Sequence, residues 1–186
     1  MLDSKTKLVV AARELYETKG ASSISVKDIA DHAGVTRSLF YHYFSNKSAI
    51  TGAVLDSYVK DYVEAIRHWF DTRPIGDVKG SLRQLLGVFR ARISEASLFD
   101  ENLVSSEHAS LYLDYLNRSA DELAGYLYEI VVEEYATKYS VPITCRPETF
   151  YILFTGVITY LRHHPDADDD ILMEILISTL HLDPKD

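Results

Sequence analysis

Residues Ser25–Lys47 read SVKDIADHAGVTRSLFYHYFSNK, and their order of caps, apolar positions and glycine predicts two short helices joined by a tight turn. Ser25 offers a hydroxyl N-cap, and Asp28 stands three residues on, the spacing of a capping box. Asp is shorter than the usual Glu or Gln, so the box is expected to be imperfect. Val26, Ile29, Ala30 and Ala33 set an apolar stripe on one face. Gly34 stands where a helix end calls for a left-handed residue. Val35 is placed to plug the core between the helices, and Thr36 to cap a second helix, Arg37–Phe44. That helix carries Arg37, Ser38 and Leu39 in its first turn and Tyr41, His42 and Tyr43 one turn later, more polar and aromatic groups than a core face uses. Donors and flat rings of this kind suit base edges and phosphates, so this is the expected recognition helix.

The segment resembles the DNA-binding domain of the TetR family of bacterial transcriptional regulators. The likeness rests on Ala12, Leu15, Tyr16 and Gly20, then Ser25, Val26, Ile29, Ala30, Ala33, Gly34, Val35 and Thr36, and above all on Phe40-Tyr41-His42-Tyr43-Phe44 followed by Lys47. It covers about the first quarter of the chain. Leu39 departs from the small or hydroxyl residue common there in the family and offers only apolar contact, for example with a thymine methyl.

The chain has 186 residues and a formal net charge of −9. That charge is unevenly spread. Residues 1–52 carry seven Lys/Arg against five Asp/Glu, a net +2, while the remainder carries twelve against twenty-three, a net −11. A basic head on an acidic body orients a molecule on a polyanion. An acidic surface also serves plain solubility. Apolar residues make up 47%, which fits a folded, soluble chain. No apolar run reaches membrane-spanning length, and no secretory signal follows Met1. The single Cys145 excludes an internal disulfide and fits a reducing cytosol, so a cytoplasmic, nucleoid-associated protein is expected.

Upstream, Leu8, Ala11, Ala12, Leu15 and Tyr16 recur at helical spacing and predict a helix over Ser4–Lys19 ending at Gly20. Downstream, Ser45 or Asn46 caps a long helix, Lys47–Phe70. A cation in its first turn opposes the helix dipole, and a DNA phosphate explains it better. Asp71–Gly80, with Pro74, Gly76 and Gly80, reads as a loop, and Ser81–Ala96 as a helix. Leu98–Ser106 reads as a break or short helix, and Ser110–Tyr139 as a long helical pattern. Pro142 and Pro147 bracket a connector. Pro147 opens a helix that is apolar nearly all round to Leu161, Pro165 stops it, and a last apolar helix follows Asp166, Asp168, Asp169 and Asp170.

The fold class is therefore all-α. The expected division is residues 1–46, a three-helix helix-turn-helix DNA-binding domain, and 47–186, a helical effector-binding and dimerisation domain. Tyr41 and Lys47 are expected to anchor phosphates with help from Lys27. Arg37, Ser38, Leu39 and His42 are expected at base edges, and Tyr43 at backbone or base. The caps Ser25 and Thr36 complete the DNA-facing set. The last two helices are greasy enough to need a partner. The resemblance makes that partner a second copy, with Phe150, Leu153, Val157, Tyr160, Leu161, Leu172, Ile175, Leu176, Thr179 and Leu180 at the interface. It also implies a small-molecule effector in the body. Phe89, Tyr112, Tyr115, Tyr126, Tyr151 and Phe154 are candidate lining, Arg90 a holder for an anionic group, and the loop 71–80 and the long helix from Lys47 the carriers of movement. His163, His164, Asp166 and Asp168 match no standard metal spacing and complement helix dipoles instead, so neither metal nor cofactor is expected. No phosphate loop, nucleophile elbow or Cys-x-x-Cys pair occurs, and an enzyme is not expected.

The function these readings converge on is sequence-specific binding to double-stranded, palindromic operator DNA, as a repressor relieved by a ligand. The alternatives are a chromosome-organising DNA binder without an effector, and a helical small-molecule carrier that no longer binds DNA. Intact Arg37, Tyr41 and Lys47 argue against the carrier.

Overall fold

The computed structural model describes residues 3–74, 76–103, 113, 115, 117–126, 128–129, 143 and 146–182. Every regular element among them is helical. The helices are α1 (Ser4–Lys19), α2 (Val26–His32), α3 (Arg37–Tyr43), α4 (Lys47–Thr72), α5 (Val78–Leu103), α6 (117–126), α7 (Arg146–His163) and α8 (Asp169–Leu180), with a 3-10 turn at Ala21–Ser23. Two compact units are distinguished, Met1–Lys60 with Glu95–Leu116, and Asp61–Ser94 with Asn117–Asp186.

In the first unit, the caps act where the sequence places them. Asp3 accepts from the Thr6 N–H at 2.9 Å and starts α1. Gly20, at φ 78°, ends it by donating to the Tyr16 carbonyl. Leu8, Ala11, Ala12, Leu15 and Tyr16 are buried, as their spacing predicts. Ser25 and Asp28 form both halves of the capping box. The Ser25 N–H donates to the Asp28 carboxylate at 2.8 Å, and the Asp28 N–H to the Ser25 hydroxyl at 3.2 Å. The short Asp side chain thus closes the box that it was expected to leave imperfect. Those bonds, the Ser25 hydroxyl's first and its N–H's next, hold the Asp28 carboxyl below its ordinary value. A carboxyl lowered in the folded state stabilises fully above its unfolded pKa, and the contribution fades as pH falls through the folded value. Replacing Ser25 by Ala should cost about 1 kcal/mol, read as a lowered melting temperature with the helical spectrum unchanged at low temperature.

The turn after α2 is a Schellman arrangement. The Val35 N–H donates to the Ala30 carbonyl at 3.0 Å and the Gly34 N–H to that of Asp31 at 3.2 Å. Gly34 sits at φ 65°, where a side chain is strained. Val35 and Ala33 pack, partly buried, against the core.

One buried bond ties α1 to the start of α4. The Tyr16 and Thr51 hydroxyls meet at 3.1 Å, and the Thr51 hydroxyl donates back to the Lys47 carbonyl of its own helix at 2.9 Å. Burial pushes the Tyr16 phenol up. Farther along, the Tyr58 hydroxyl donates to Glu17 at 2.5 Å, Arg13 donates to the same oxygen at 3.0 Å, and the Arg13 guanidinium lies 4.1 Å from the Tyr58 ring centre. Burial raises the Tyr58 pKa first, and the Glu17 carboxylate raises it further.

In the second unit, Tyr62, Ile66, Trp69, Leu85, Leu86, Phe89, Phe150, Phe154, Leu161 and Leu176 belong to one buried cluster. The Trp69 indole N–H donates to the Ser81 carbonyl at 2.9 Å. The expected loop 71–80 is shorter. Asp71 and Thr72 still belong to α4, and α5 begins at Val78. Asp77 explains the early start. Its carboxylate caps α5 by accepting the Gly80 N–H at 2.8 Å, and a Cβ at Gly80 would lie 2.1 Å from that carboxylate. Gly80 is thus a third helical position made small for its cap, where sequence reading took it for loop. Nor does α5 break at Leu98. It runs to Leu103, and Ala91–Leu103 contains no Gly or Pro to stop it.

Candidate nucleic-acid interface

α3 is a short helix with opposed faces. Phe40 is fully buried and Phe44, its C-cap, is nearly so. Their rings lie 5.8 Å apart and anchor the helix in the first unit's core. Arg37, Ser38, Tyr41, His42 and Tyr43 are exposed, and Leu39 is half-buried. Tyr41 packs edge-on against Phe40 at 5.4 Å, and His42 against Tyr43 at 4.9 Å. The exposed rings are thereby steadied without being covered.

The two caps are spent on structure. The Thr36 hydroxyl accepts the Leu39 N–H at 3.2 Å, and the Ser25 hydroxyl is held in the capping box. Both residues are nonetheless exposed beside the helix starts. Lys27 is exposed in the first turn of α2. Lys47 is half-buried in the first turn of α4. Its ammonium lies 3.5 Å from the Ser22 carbonyl, which places the cation over the 3-10 turn. Asn46, the one of the two candidate caps that acts, accepts the Ala49 N–H at 2.8 Å. The first unit therefore presents a row of donors and rings on a buried aromatic anchor. That arrangement serves the recognition of a polyanion with readable base edges.

The residues expected to line an effector cavity are divided between the two units. Tyr112 lies outside the described residues. Tyr115 belongs to the first unit's core, whereas Phe89 and Phe154 are buried in the second. There they pack ring against ring, Phe89 with Phe154 at 6.0 Å and with Tyr62 at 6.2 Å. Tyr126 lies beneath the Arg67 guanidinium at 5.6 Å. Tyr151 is 38% exposed. Arg90 is engaged elsewhere. It pairs with Asp169 at 2.8 Å and donates to the Pro165 and Ala167 carbonyls, clasping the turn between α7 and α8.

The expected dimer set divides in two. Phe150, Val157, Leu161, Leu172, Leu176 and Leu180 are buried within their own unit, and Leu153 is partly so. Tyr160, Ile175 and Thr179 face outward, and so do Ile152, Ile171 and the cavity candidate Tyr151, none of which belongs to the expected dimer set. A helix apolar all round shows that both faces are covered but not which one by its own chain. Asp168 caps α8, accepting the Asp170 N–H at 2.8 Å, and the His164 ring stacks on Tyr160 at 4.4 Å.

Residues 8–54 match the family model described as bacterial regulatory proteins, tetR family. The chain is 30% identical over 87 residues to the HTH-type transcriptional regulator EthR of Mycolicibacterium smegmatis, a stretch that covers 47% of this chain and 40% of that protein. It is 26% identical over 126 residues to the HTH-type transcriptional repressor KstR2 of Rhodococcus jostii, covering 64% of this chain and 60% of that one. The matched stretches thus span less than two thirds of either relative. The crystal structure of a TetR-family transcriptional regulator from Streptomyces coelicolor superposes with a TM-score of 0.62 at 20% identity, over 96% of this chain and 98% of that one, a likeness of fold. The match to the tetR-family model thus falls on the helix-turn-helix of the first unit, from within α1 to the start of α4.

Proposed function

We propose that the chain is a sequence-specific DNA-binding transcriptional regulator, acting in the cytoplasm as a homodimeric repressor that a small molecule relieves. The observation that carries this reading is the outward row Arg37, Ser38, Tyr41, His42 and Tyr43 on a helix pinned by buried Phe40. Residues 1–46 form the DNA-binding domain, joined in contacting DNA by Lys47 at the start of α4, and residues 47–186 the effector-binding and dimerising part. The basic head and acidic body support that division. No helix among the described residues is long and apolar enough to cross a membrane.

In this reading Tyr41, Lys27 and Lys47 hold phosphates, while Arg37, Ser38, Leu39 and His42 face bases and Tyr43 reaches either. The exposed faces of α7 and α8 cover each other in a second copy. Two recognition helices then enter successive major grooves, about 34–36 Å apart, on a palindromic operator. The effector works by linkage. It prefers the conformer whose recognition helices do not fit DNA, and DNA weakens its binding by the same factor. The ring cluster of Tyr62, Phe89, Phe150 and Phe154 is the apolar material it would part.

The test is binding to duplexes from the DNA flanking the coding region and to random duplexes, across salt concentrations. Lys47→Ala should weaken binding to all sequences and flatten the salt slope by about one unit. Arg37→Ala should relax base preference at a cost of about 1–3 kcal/mol. A wild type that binds neither duplex at low salt overturns the reading in favour of a carrier. A Lys47 variant with unchanged affinity and slope removes that residue from the interface.

A further inference from the structure

Arg13, Glu17 and Tyr58 form a polar joint between α1 and α4, apart from the DNA-facing row. The Tyr58 hydroxyl donates to the Glu17 carboxylate at 2.5 Å, and the Arg13 side chain donates to the same oxygen at 3.0 Å. The Arg13 guanidinium lies over the Tyr58 ring, 4.1 Å from its centre. Tyr58 is 7% exposed and belongs to the buried cluster of the first unit. Its bond is as short as a hydroxyl makes to an ionised carboxylate, among the stronger hydrogen bonds in proteins. Packing alone does not call for it. Phenylalanine would fill the same space with no polar atom to satisfy. What the hydroxyl adds is direction, and the core around it supplies little. Ile50, Val54 and Leu55 of α4 share that cluster with Leu8, Ala12 and Leu15 of α1, and apolar burial is non-directional.

One polar bond between two helices makes a pivot, and a second one, displaced along the helix, fixes the angle. The Tyr16 and Thr51 hydroxyls make the first, at 3.1 Å. Tyr58 makes the second, seven residues on, which is two turns and about 10 Å along the same face of α4. Lys47 stands on the other side of the pivot, four residues before Thr51, whose hydroxyl holds the Lys47 carbonyl at 2.9 Å. A tilt about Thr51 that moved Tyr58 by about 2 Å would shift the Lys47 backbone by about 1 Å in the opposite sense. We propose that Arg13, Glu17 and Tyr58 are positioning residues for DNA binding. They fix the angle of α4 on α1 and so hold Lys47 over the 3-10 turn, in register with the outward face of α3. Tyr58 makes the tie, Glu17 receives it, and Arg13 balances the Glu17 charge while covering the ring. This rests on the reading of Lys47 as a phosphate contact and names what sets its place.

A double-mutant cycle on the full chain tests the joint. Binding to duplexes from the DNA flanking the coding region is read across salt concentrations, with urea midpoints measured in parallel. Tyr58→Phe keeps the ring and removes only the hydroxyl. It should weaken binding at least roughly fivefold and flatten the salt slope in the direction of Lys47→Ala, by up to about one unit. In the Lys47→Ala background the same change should alter affinity less than about twofold, because the cation it positions is gone. Glu17→Gln keeps an acceptor oxygen at the same reach and should recover most of the affinity that Glu17→Ala loses. A merely structural role would lower the urea midpoint, leave the slope alone and make the two losses additive. Tyr58→Phe with wild-type affinity and slope, or with a loss that persists in full beside Lys47→Ala, overturns the positioning role and leaves Lys47 at its phosphate. A single Lys47→Ala variant with unchanged slope overturns the phosphate reading, and the positioning role with it.

Discussion

Val157→Asp should unfold the second unit rather than merely separate two subunits. Val157 is 5% exposed and belongs to the cluster that holds Phe150, Phe154, Leu161, Leu172 and Leu176. Removing its burial forfeits about 1.5–3 kcal/mol. An unpaired carboxylate in that apolar site adds several kcal/mol more, offset in part by a rise in its pKa. The sum is comparable with the whole stability of a domain, about 5–15 kcal/mol. Because the cost falls on the ionised form, the deficit should shrink as pH falls. Tyr160→Asp is the control. Tyr160 is 48% exposed, so that variant should keep its melting temperature at low concentration and lose only its dimer. Thermal melts by circular dichroism, paired with sedimentation, separate the two. A Val157→Asp chain that melts like wild type but sediments as a monomer would return Val157 to the interface.

That contrast shows where sequence reading stops. The helix-turn-helix is written in local chemistry, and so it is legible. Ser25 and Asp28 are three residues apart, the left-handed backbone at position 34 is cheap only for glycine, and Thr36 caps the recognition helix. Each signal is complete within one turn of chain, and each is realised in the structure. The Arg13–Glu17 pair is legible for the same reason, at i and i+4, but its third member, Tyr58, lies 41 residues from Glu17 and carries no local mark. In α7, periodicity cannot distinguish a face covered by the same chain from one left to another, so Val157 and Tyr160 look alike until the neighbours are in place. The partners of Arg90 are equally invisible in the local sequence. A cation among aromatics suggests a ligand, whereas carbonyls 75 and 77 residues along the chain take its donors. Gly80 misleads by the opposite route. Its composition says loop, and only the Asp77 cap beside it says helix.

Phe40→Ala should abolish DNA binding without removing any group that touches DNA. Phe40 is 0% exposed, and its ring contacts those of Tyr41 and Phe44. Truncating a fully buried Phe costs about 3–5 kcal/mol, because the lost transfer energy is joined by that of an incompletely collapsed cavity. The loss falls on a helix of seven residues, too short to persist on its own propensity. α3 keeps its shape because Phe40 and Phe44 seat it against α1, α2 and the start of α4, and the exposed Arg37, Tyr41 and His42 inherit their positions from that seat. Phe40→Leu should retain most of the stability and most of the affinity, since it keeps an apolar group of similar reach. Tyr41→Phe should leave stability unchanged and weaken binding to every sequence alike, since it removes only the hydroxyl expected at a phosphate. Urea titrations and duplex binding on the three variants test the order. Affinity should fall with stability across the Phe40 pair and independently of it in Tyr41→Phe. A Phe40→Ala protein with the wild-type urea midpoint would mean that α3 is held by something other than its aromatic anchor.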